Sequence, residues 1–306
     1  MSNVSTKSTF EVKQHAEHKR LVHIEIDNAA LYRFLEIVSK ISVERLEYVP
    51  FMRFFLAEKL REVMGEDLQH KTREILHDRN TGGFTIGVQN QSTEIDDYIK
   101  FSTALTHLVG ISNYDEMSGK YYARFSVKHT FDSDTYLRQA YRVLELHTDG
   151  TFVNEKTDWV LMMKFEEENA NGGESRLLHL DDWEDLQKFK SHPLSSYKYK
   201  FSYADRGSKK VDDVLYNTTF FDQNNSPCIR YNHQCTHPLN IEQAAFLKEI
   251  QDSMEESAGV IPINLPLGQL VMINNNFWLH GREAFSRNEN LHRELMRQRG
   301  SFSTIQ

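Results

Sequence analysis

From residue 120 onward the chain is a succession of short stretches rich in β-branched and aromatic residues: KYYARFSVKHT, AYRVLELHT, DWVLMMKF, SRLLHL, YKYKFSY, PCIRYN, GVIPINLP, GQLVMIN and ELMRQRGSFS. Turn-forming clusters (TDGT, NANGG, DQNNSP, PLG) separate several of them. Strands this short cannot bury their apolar faces one at a time. They must close on themselves or pair as two layers. The pattern therefore predicts a mostly β fold whose core is a double-stranded β-helix, or jelly roll.

The first third has a different period. NAALYRFLEIVSKI, VERLEYVPFMRFFLAEKLREVMG and EIDDYIKFSTALTHLVG place apolar residues three and four apart, as one-sided helices do. This predicts a mainly helical extension over residues 1–115, packed outside a jelly-roll core over 120–306. One later helix, NIEQAAFLKEIQDSMEES, interrupts the strands with Asn240 as its N-cap. No Pro- or Gly-rich linker divides the chain, so a single domain is expected over 1–306.

The formal charge of −8 argues against a nucleic-acid or anionic-membrane surface as the main binding partner. The longest apolar runs fall far short of the roughly 18 residues that a membrane span needs. The N-terminus, MSNVSTKSTFEVKQHAEHKR, has no apolar signal core. Two cysteines, Cys228 and Cys235, are too few for a disulfide framework. Together these features predict a cytoplasmic protein.

The chemistry is concentrated in three stretches. In LELHTDGTF, His147 and Asp149 are two apart at the end of a predicted strand, so both face one side, and Asp149-Gly150 then turns the chain away. In GQLVMINNNFWLHGREAF, His280 ends a late strand. Two histidines and a carboxylate at the mouth of a jelly roll would form a facial triad, which leaves coordination positions open for a co-substrate and dioxygen on iron(II). In RELMRQRGSF, Arg293, Arg297 and Arg299 share strand parity. Guanidinium groups pointing inward call for anions, and a carboxylate fits them bidentately. That suggests one 2-oxo acid co-substrate and one substrate carboxylate. Each piece also has an ordinary reading: Asp-Gly is a common turn, a buried histidine is often a satisfied core residue, and arginines near a chain end often form a solvated face.

Other clusters weigh less. Cys228, His233, Cys235 and His237 in PCIRYNHQCTH lack the paired-cysteine spacing of structural zinc sites, so a strand and polar loop is expected there. HDRNTGGF reads as a loop near the site mouth, FEEENANGGE as a solvated turn and WEDLQKFK as a surface helix. No Gly-x-Ser-x-Gly or other nucleophile motif supports hydrolase chemistry.

The segments LHTDGTF, WVLMMKFEE, GGESRLLHLDDWE, MINNNFWLHGR and HRELMRQRG resemble the bacterial carbon-starvation-induced CsiD proteins. These are glutarate 2-hydroxylases, iron(II)- and 2-oxoglutarate-dependent enzymes related more distantly to taurine dioxygenase and clavaminate synthase. The resemblance spans most of the chain and is strongest from residue 140 to the C-terminus. It implies His147, Asp149 and His280 as iron ligands, Arg299 as the 2-oxoglutarate-binding arginine and, from GGES, Ser175 as a second 2-oxoglutarate contact. Strand parity adds Arg297 for a substrate carboxylate. The implied reaction converts glutarate, 2-oxoglutarate and dioxygen to 2-hydroxyglutarate, succinate and carbon dioxide, within lysine and glutarate catabolism, in a cytoplasmic homotetramer. The alternatives are a dioxygenase for another small carboxylate or sulfonate, and a non-catalytic sensor of 2-oxoglutarate or metal.

Overall fold

The computed structural model describes residues 8–88, 91–129, 139–202 and 214–302. The chain opens with strands β1 (Phe10–Gln14) and β2 (Val22–Ile26) and helices α1 (Asn28–Val38), α2 (Val43–Tyr48), α3 (Pro50–Met64) and α4 (Glu66–His77). Strand β3 (Gly83–Gly87), helix α5 (Ile95–Val109) and strand β4 (Gly110–Ser112) follow. Then come β5 (Ala123–Lys128), β6 (Leu144–His147), β7 (Trp159–Glu168) and β8 (Ser175–His179). After helix α6 (Leu186–Lys190), five short strands lie outside the main sheets: β9 (Tyr199–Phe201), β10 (Leu215–Asn217), β11 (Phe220–Gln223), β12 (Ser226–Ile229) and β13 (Thr236–His237). Helix α7 (Ile241–Glu256) leads into β14 (Ile261–Ile263), β15 (Gln269–Asn274), β16 (Trp278–Arg282) and β17 (His292–Phe302).

The helix signals act locally. Asp27 caps α1 by accepting from the Ala29 and Ala30 N–H groups, and Asn240 caps α7 by accepting from Gln243 N–H. The helical stretch expected over 43–65 divides at Pro50. The proline ring pushes Val49 out of the helical region, to φ −122° and ψ 90°, so α2 ends and α3 starts afresh.

The strands form the two layers of a jelly roll. The larger sheet runs β1-β2-β3-β15-β7-β17-β4, with β5 also paired to β17. The smaller runs β14-β8-β16-β6. Helices cover the outer face of the larger sheet, so its central strands are apolar on both sides. Trp159, Leu161, Met163 and Phe165 of β7, with Leu270 and Met272 of β15, pack against helical residues such as Phe34, Leu56 and Phe101. The alternate residues Val160, Met162, Val271 and Ile273 pack inward with Leu146, Leu177 and Leu279 of the smaller sheet. This explains why WVLMMKF and QLVMIN read as unbroken apolar runs.

Strand β17 follows the same alternation with polar residues. Met296 joins the helix-facing core, and Gln298 accepts from Thr106 Oγ1 at 2.9 Å and donates to Ser102 Oγ at 3.2 Å. Arg293, Arg297 and Arg299, of opposite parity, line the cavities between the sheets.

Two expectations need correction. HDRNTGGF is not only a loop: its last two residues begin β3, which lies between β2 and β15 in the larger sheet. The paired glycines obscured a strand of five residues, and a Cβ on Gly83 would lie 2.8 Å from the Leu21 side chain. The WEDLQKFK helix is not fully superficial either, because Leu186 and Phe189 are buried, with Phe189 stacked on Trp183.

Burial keeps several histidines neutral. It pushes His18 and His107 down to about 4. In the unfolded chain each takes up a proton near pH 6.5. In the folded chain each resists protonation until about pH 4, so stability is full above about pH 6.5 and declines as the pH falls toward 4. At pH 5 each of these residues costs up to about 2 kcal/mol. Urea denaturation should therefore give a clearly lower midpoint at pH 5 than at pH 7; equal midpoints would contradict the neutral burial of these rings.

Candidate active site

His147 is the last residue of β6 and His280 the central residue of β16, and the antiparallel register sets them directly opposite each other. Their ring centroids are 4.4 Å apart. Strand β16 approaches β6 so closely that a Cβ on Gly281 would lie 2.4 Å from the Leu144 carbonyl oxygen. Asp149 follows in the turn, and Gly150 continues it at φ +72°. One ligand-capable atom from each of His147, Asp149 and His280 lies within 4.8 Å of the others, and all three residues are buried.

The surroundings orient these groups. His147 Nδ1 lies 2.8 Å from the Glu145 carbonyl oxygen. A carbonyl only accepts, so Nδ1 donates to it, and Nε2 is turned toward the gap, 4.0 Å from Asp149 Oδ1. His280 Nε2 lies 4.0 Å from Asp149 Oδ2. The Asn275 side chain clamps the Asp149 backbone: its Oδ1 accepts from Asp149 N–H at 2.9 Å, and its Nδ2 donates to the carbonyls of Asp149 at 3.0 Å and Thr157 at 2.9 Å.

The electrostatics suit a cation. Burial, aided by His147 and Arg297, pushes His280 down to about 3, so its ring is neutral. Burial opposes ionisation of Asp149, but neighbouring charge, that of Arg297 foremost, outweighs it and holds the carboxyl well below the usual carboxylate range. Arg297 Nη1 donates to Asp149 Oδ1 at 3.2 Å, while Oδ2 is buried without a hydrogen-bond partner among the described residues. Imidazole lone pairs and an ionised oxygen lacking a partner, converging on one gap, fit a divalent transition metal. Glu166, His292 and Glu294 form a second close group, but Arg124 already pairs with Glu294.

Two cavities meet at the triad. The inner one, about 90 Å³, is lined by His147, His280, Ser175, Met162, Arg282 and Arg293. The outer one, about 580 Å³, is lined by Tyr114, Asp115, Phe152, Asn232 and Arg299. Arg297 borders both. Arg293 is 2% exposed, its Nε and Nη1 lack hydrogen-bond partners, and its nearest carboxylate contact is Glu167 at 3.9 Å. Burial lowers its pKa to about 10, which leaves it charged at neutral pH. The Arg299 side chain makes no hydrogen bond or ion pair among the described residues.

The six residues singled out in the sequence thus gather around one gap, but on different sides of it. Ser175 lines the inner cavity and Arg299 the outer, and His147 and Arg297 border both. Arg297 is already held by Asp149 and, through Nη2 at 2.8 Å, by Asp115. Asn275 and Asp115 were missed. The run INNNFW hinted at the first, whereas nothing near Asp115 marks it. The four Cys and His residues of PCIRYNHQCTH have separate partners: Cys228 Sγ contacts the Ser226 carbonyl, His233 faces Glu145, Cys235 neighbours Thr151 and His237 pairs with Ser202.

The CsiD family model matches residues 10–302. The chain belongs to the CsiD family. It is 43% identical over 298 residues to the glutarate 2-hydroxylase of Citrobacter koseri, covering 96% of this chain and 91% of that protein. Among solved structures, asparagine oxygenase in complex with Fe(II), 2S,3S-3-hydroxyasparagine and succinate matches with a TM-score of 0.73 at 13% identity, over 92% of this chain and 93% of that one. The non-heme iron oxygenase OrfP in complex with Fe and alpha-ketoglutaric acid matches with a TM-score of 0.65 at 16% identity, over 90% and 91%. At these identities the likeness is one of fold, and it carries the jelly-roll architecture to this CsiD chain.

The clamp on Asp149 is testable. Asn275→Ala strands one buried donor and two carbonyls, so the CsiD fold should lose about 2–4 kcal/mol in urea denaturation. An unchanged midpoint would show that the clamp does not hold the turn.

Proposed function

We propose that the protein is an iron(II)- and 2-oxoglutarate-dependent dioxygenase that hydroxylates glutarate at C2, yielding 2-hydroxyglutarate, succinate and carbon dioxide. The observation that carries this reading is the partnerless, ionised Asp149 oxygen between two histidines, with a buried and poorly paired guanidinium in the cavity on either side. The 43% identical relative, a glutarate 2-hydroxylase, supports the substrate.

In this reading His147 Nε2, Asp149 Oδ2 and His280 hold the iron. Once bound, iron supplies the activation of dioxygen that side chains cannot. The rest is binding and orientation by the chain. The resemblance gives the co-substrate's distal carboxylate to Arg299. The cavities favour Arg293 instead, because it shares the inner cavity with Ser175 and has unused donors. Arg299 is then left for a carboxylate of glutarate in the outer cavity, with Arg297 beside it. Holding a dicarboxylate by one end fixes which C–H bond faces the triad, and positioning of this kind supplies much of an enzyme's rate gain. The burial of all three triad residues limits access of water.

The resemblance also supports a role in lysine and glutarate breakdown, a cytoplasmic location and a homotetramer. Among the described residues no helix is long and apolar enough to cross a membrane. Tyr48, Phe51 and Phe54, exposed on α2 and α3, offer an apolar face for contact between copies.

Aerobic incubation with iron(II), 2-oxoglutarate and a panel of small acids tests the reaction. Succinate should appear in step with 2-hydroxyglutarate, and only when glutarate is present. Coupling to another acid would keep the triad and replace the substrate, and metal binding without turnover would make the protein a sensor. His147→Ala and Asp149→Ala should each abolish turnover. Arg293→Met should raise the KM for 2-oxoglutarate, and Arg299→Met that for glutarate, each roughly 10- to 100-fold. The reverse pattern would return the co-substrate to Arg299.

A further inference from the structure

Arg297 has a second anionic partner that lies outside the triad. While its Nη1 donates to Asp149 Oδ1, its Nη2 donates to Asp115 Oδ2 at 2.8 Å, and its guanidinium lies 4.9 Å from the Phe125 ring centroid. Asp115 is 5% exposed. It also closes a turn just after β4. Its Oδ1 accepts from Ser118 N–H at 2.9 Å, its carbonyl from Gly119 N–H at 2.8 Å, and its own N–H donates to the Lys120 carbonyl at 2.7 Å. The same turn forms one wall of the outer cavity. A carboxylate needed only to close a turn would spend one oxygen and stay in water. Here the second oxygen is spent on a guanidinium that grips the triad's own carboxylate.

We propose that Asp115 is a positioning residue that sets, through Arg297, how Asp149 is presented to a divalent metal. This rests on the reading of the triad as a metal site. With Asp115 in place, two carboxylates share one guanidinium, leaving one net negative charge beside the cation and Asp149 Oδ2 unoccupied. Without the Asp115 charge, Arg297 has only Asp149 to pair with. Its two Nη groups then favour a bidentate grip on that carboxylate, which takes up the oxygen the metal needs and leaves the pair neutral. Both changes weaken metal binding. Asp115 itself need touch neither metal nor substrate.

Asp115→Asn tests this, because it keeps the size of the side chain and the oxygen that serves Ser118 while removing the charge. Manganese(II) is titrated into the metal-free protein and free ion is followed by electron paramagnetic resonance. Asp115→Asn should raise the manganese Kd roughly 10- to 100-fold, with thermal unfolding of the metal-free protein as a check on folding. Asp115→Glu, which keeps the charge, should recover binding to within about fivefold of wild type. In an Arg297→Gln background, Asp115→Asn should change the Kd by less than about threefold, since the route through Arg297 is already gone. An equal loss in both backgrounds would show that Asp115 acts directly or by loosening the wall, and overturns the proposal. So does Asp149-dependent manganese binding that Asp115→Asn leaves intact. Manganese binding that survives Asp149→Ala overturns the metal reading, and this proposal with it.

Discussion

A carboxylate ionised inside a protein is the constraint around which this molecule is arranged. Taking the Asp149 charge out of water is costly unless opposite charge and hydrogen bonds replace the lost hydration. Arg297 supplies the charge, Asn275 fixes the backbone, and two imidazoles complete the rim of the gap. One oxygen is left over. The jelly roll makes this possible because the end of a short strand, β6, can place a histidine and an aspartate two residues apart inside a closed, mostly apolar barrel.

On the proposed reading, the same jelly roll would have to separate two acids that are chemically alike. A 2-oxo acid and a dicarboxylate of equal chain length would compete for a single basic pocket. Here the cations are distributed along β17, with Arg293 at one cavity, Arg299 at the other and Arg297 bordering both, already bound to two carboxylates. The pairing of Arg297 matters for this separation. A free guanidinium there would give both acids a shared anchor, whereas a neutralised one favours two distinct sites.

Much of this was legible in the chain, for physical reasons. Burial on both faces made β7 and β15 visible as unbroken apolar runs, and parity alone put Arg293, Arg297 and Arg299 on one side of β17. His147 and Asp149 could be paired because two-residue spacing at a strand end turns both side chains the same way, even with Asp149 just past β6, while His280 needed the fold to bring it opposite. What stayed hidden depends on tertiary contact. Strand β3 lay behind a glycine pair whose lack of side chains is needed for close packing, Gly82 against Phe277 and Gly83 against Leu21. The distribution of the arginines between two cavities could not be read from parity, which gives a side but not a depth. Asp115 sits in a turn with no periodic signal, and only the return of the chain toward β17 shows what its carboxylate meets.

Arg293 and Arg299 also bear on the life of the molecule outside turnover. A folded chain that buries guanidinium groups without full pairing carries a cost that any suitably shaped carboxylate relieves. Ligands that bind only the folded state add their binding free energy to its stability, about 2.7 kcal/mol at a hundred times Kd. Small acids bound in these cavities would therefore also stabilise the fold. An acid held by either guanidinium would thus act on the folding equilibrium as well as on the chemistry, so that occupancy of the cavities and persistence of the fold would rise and fall together.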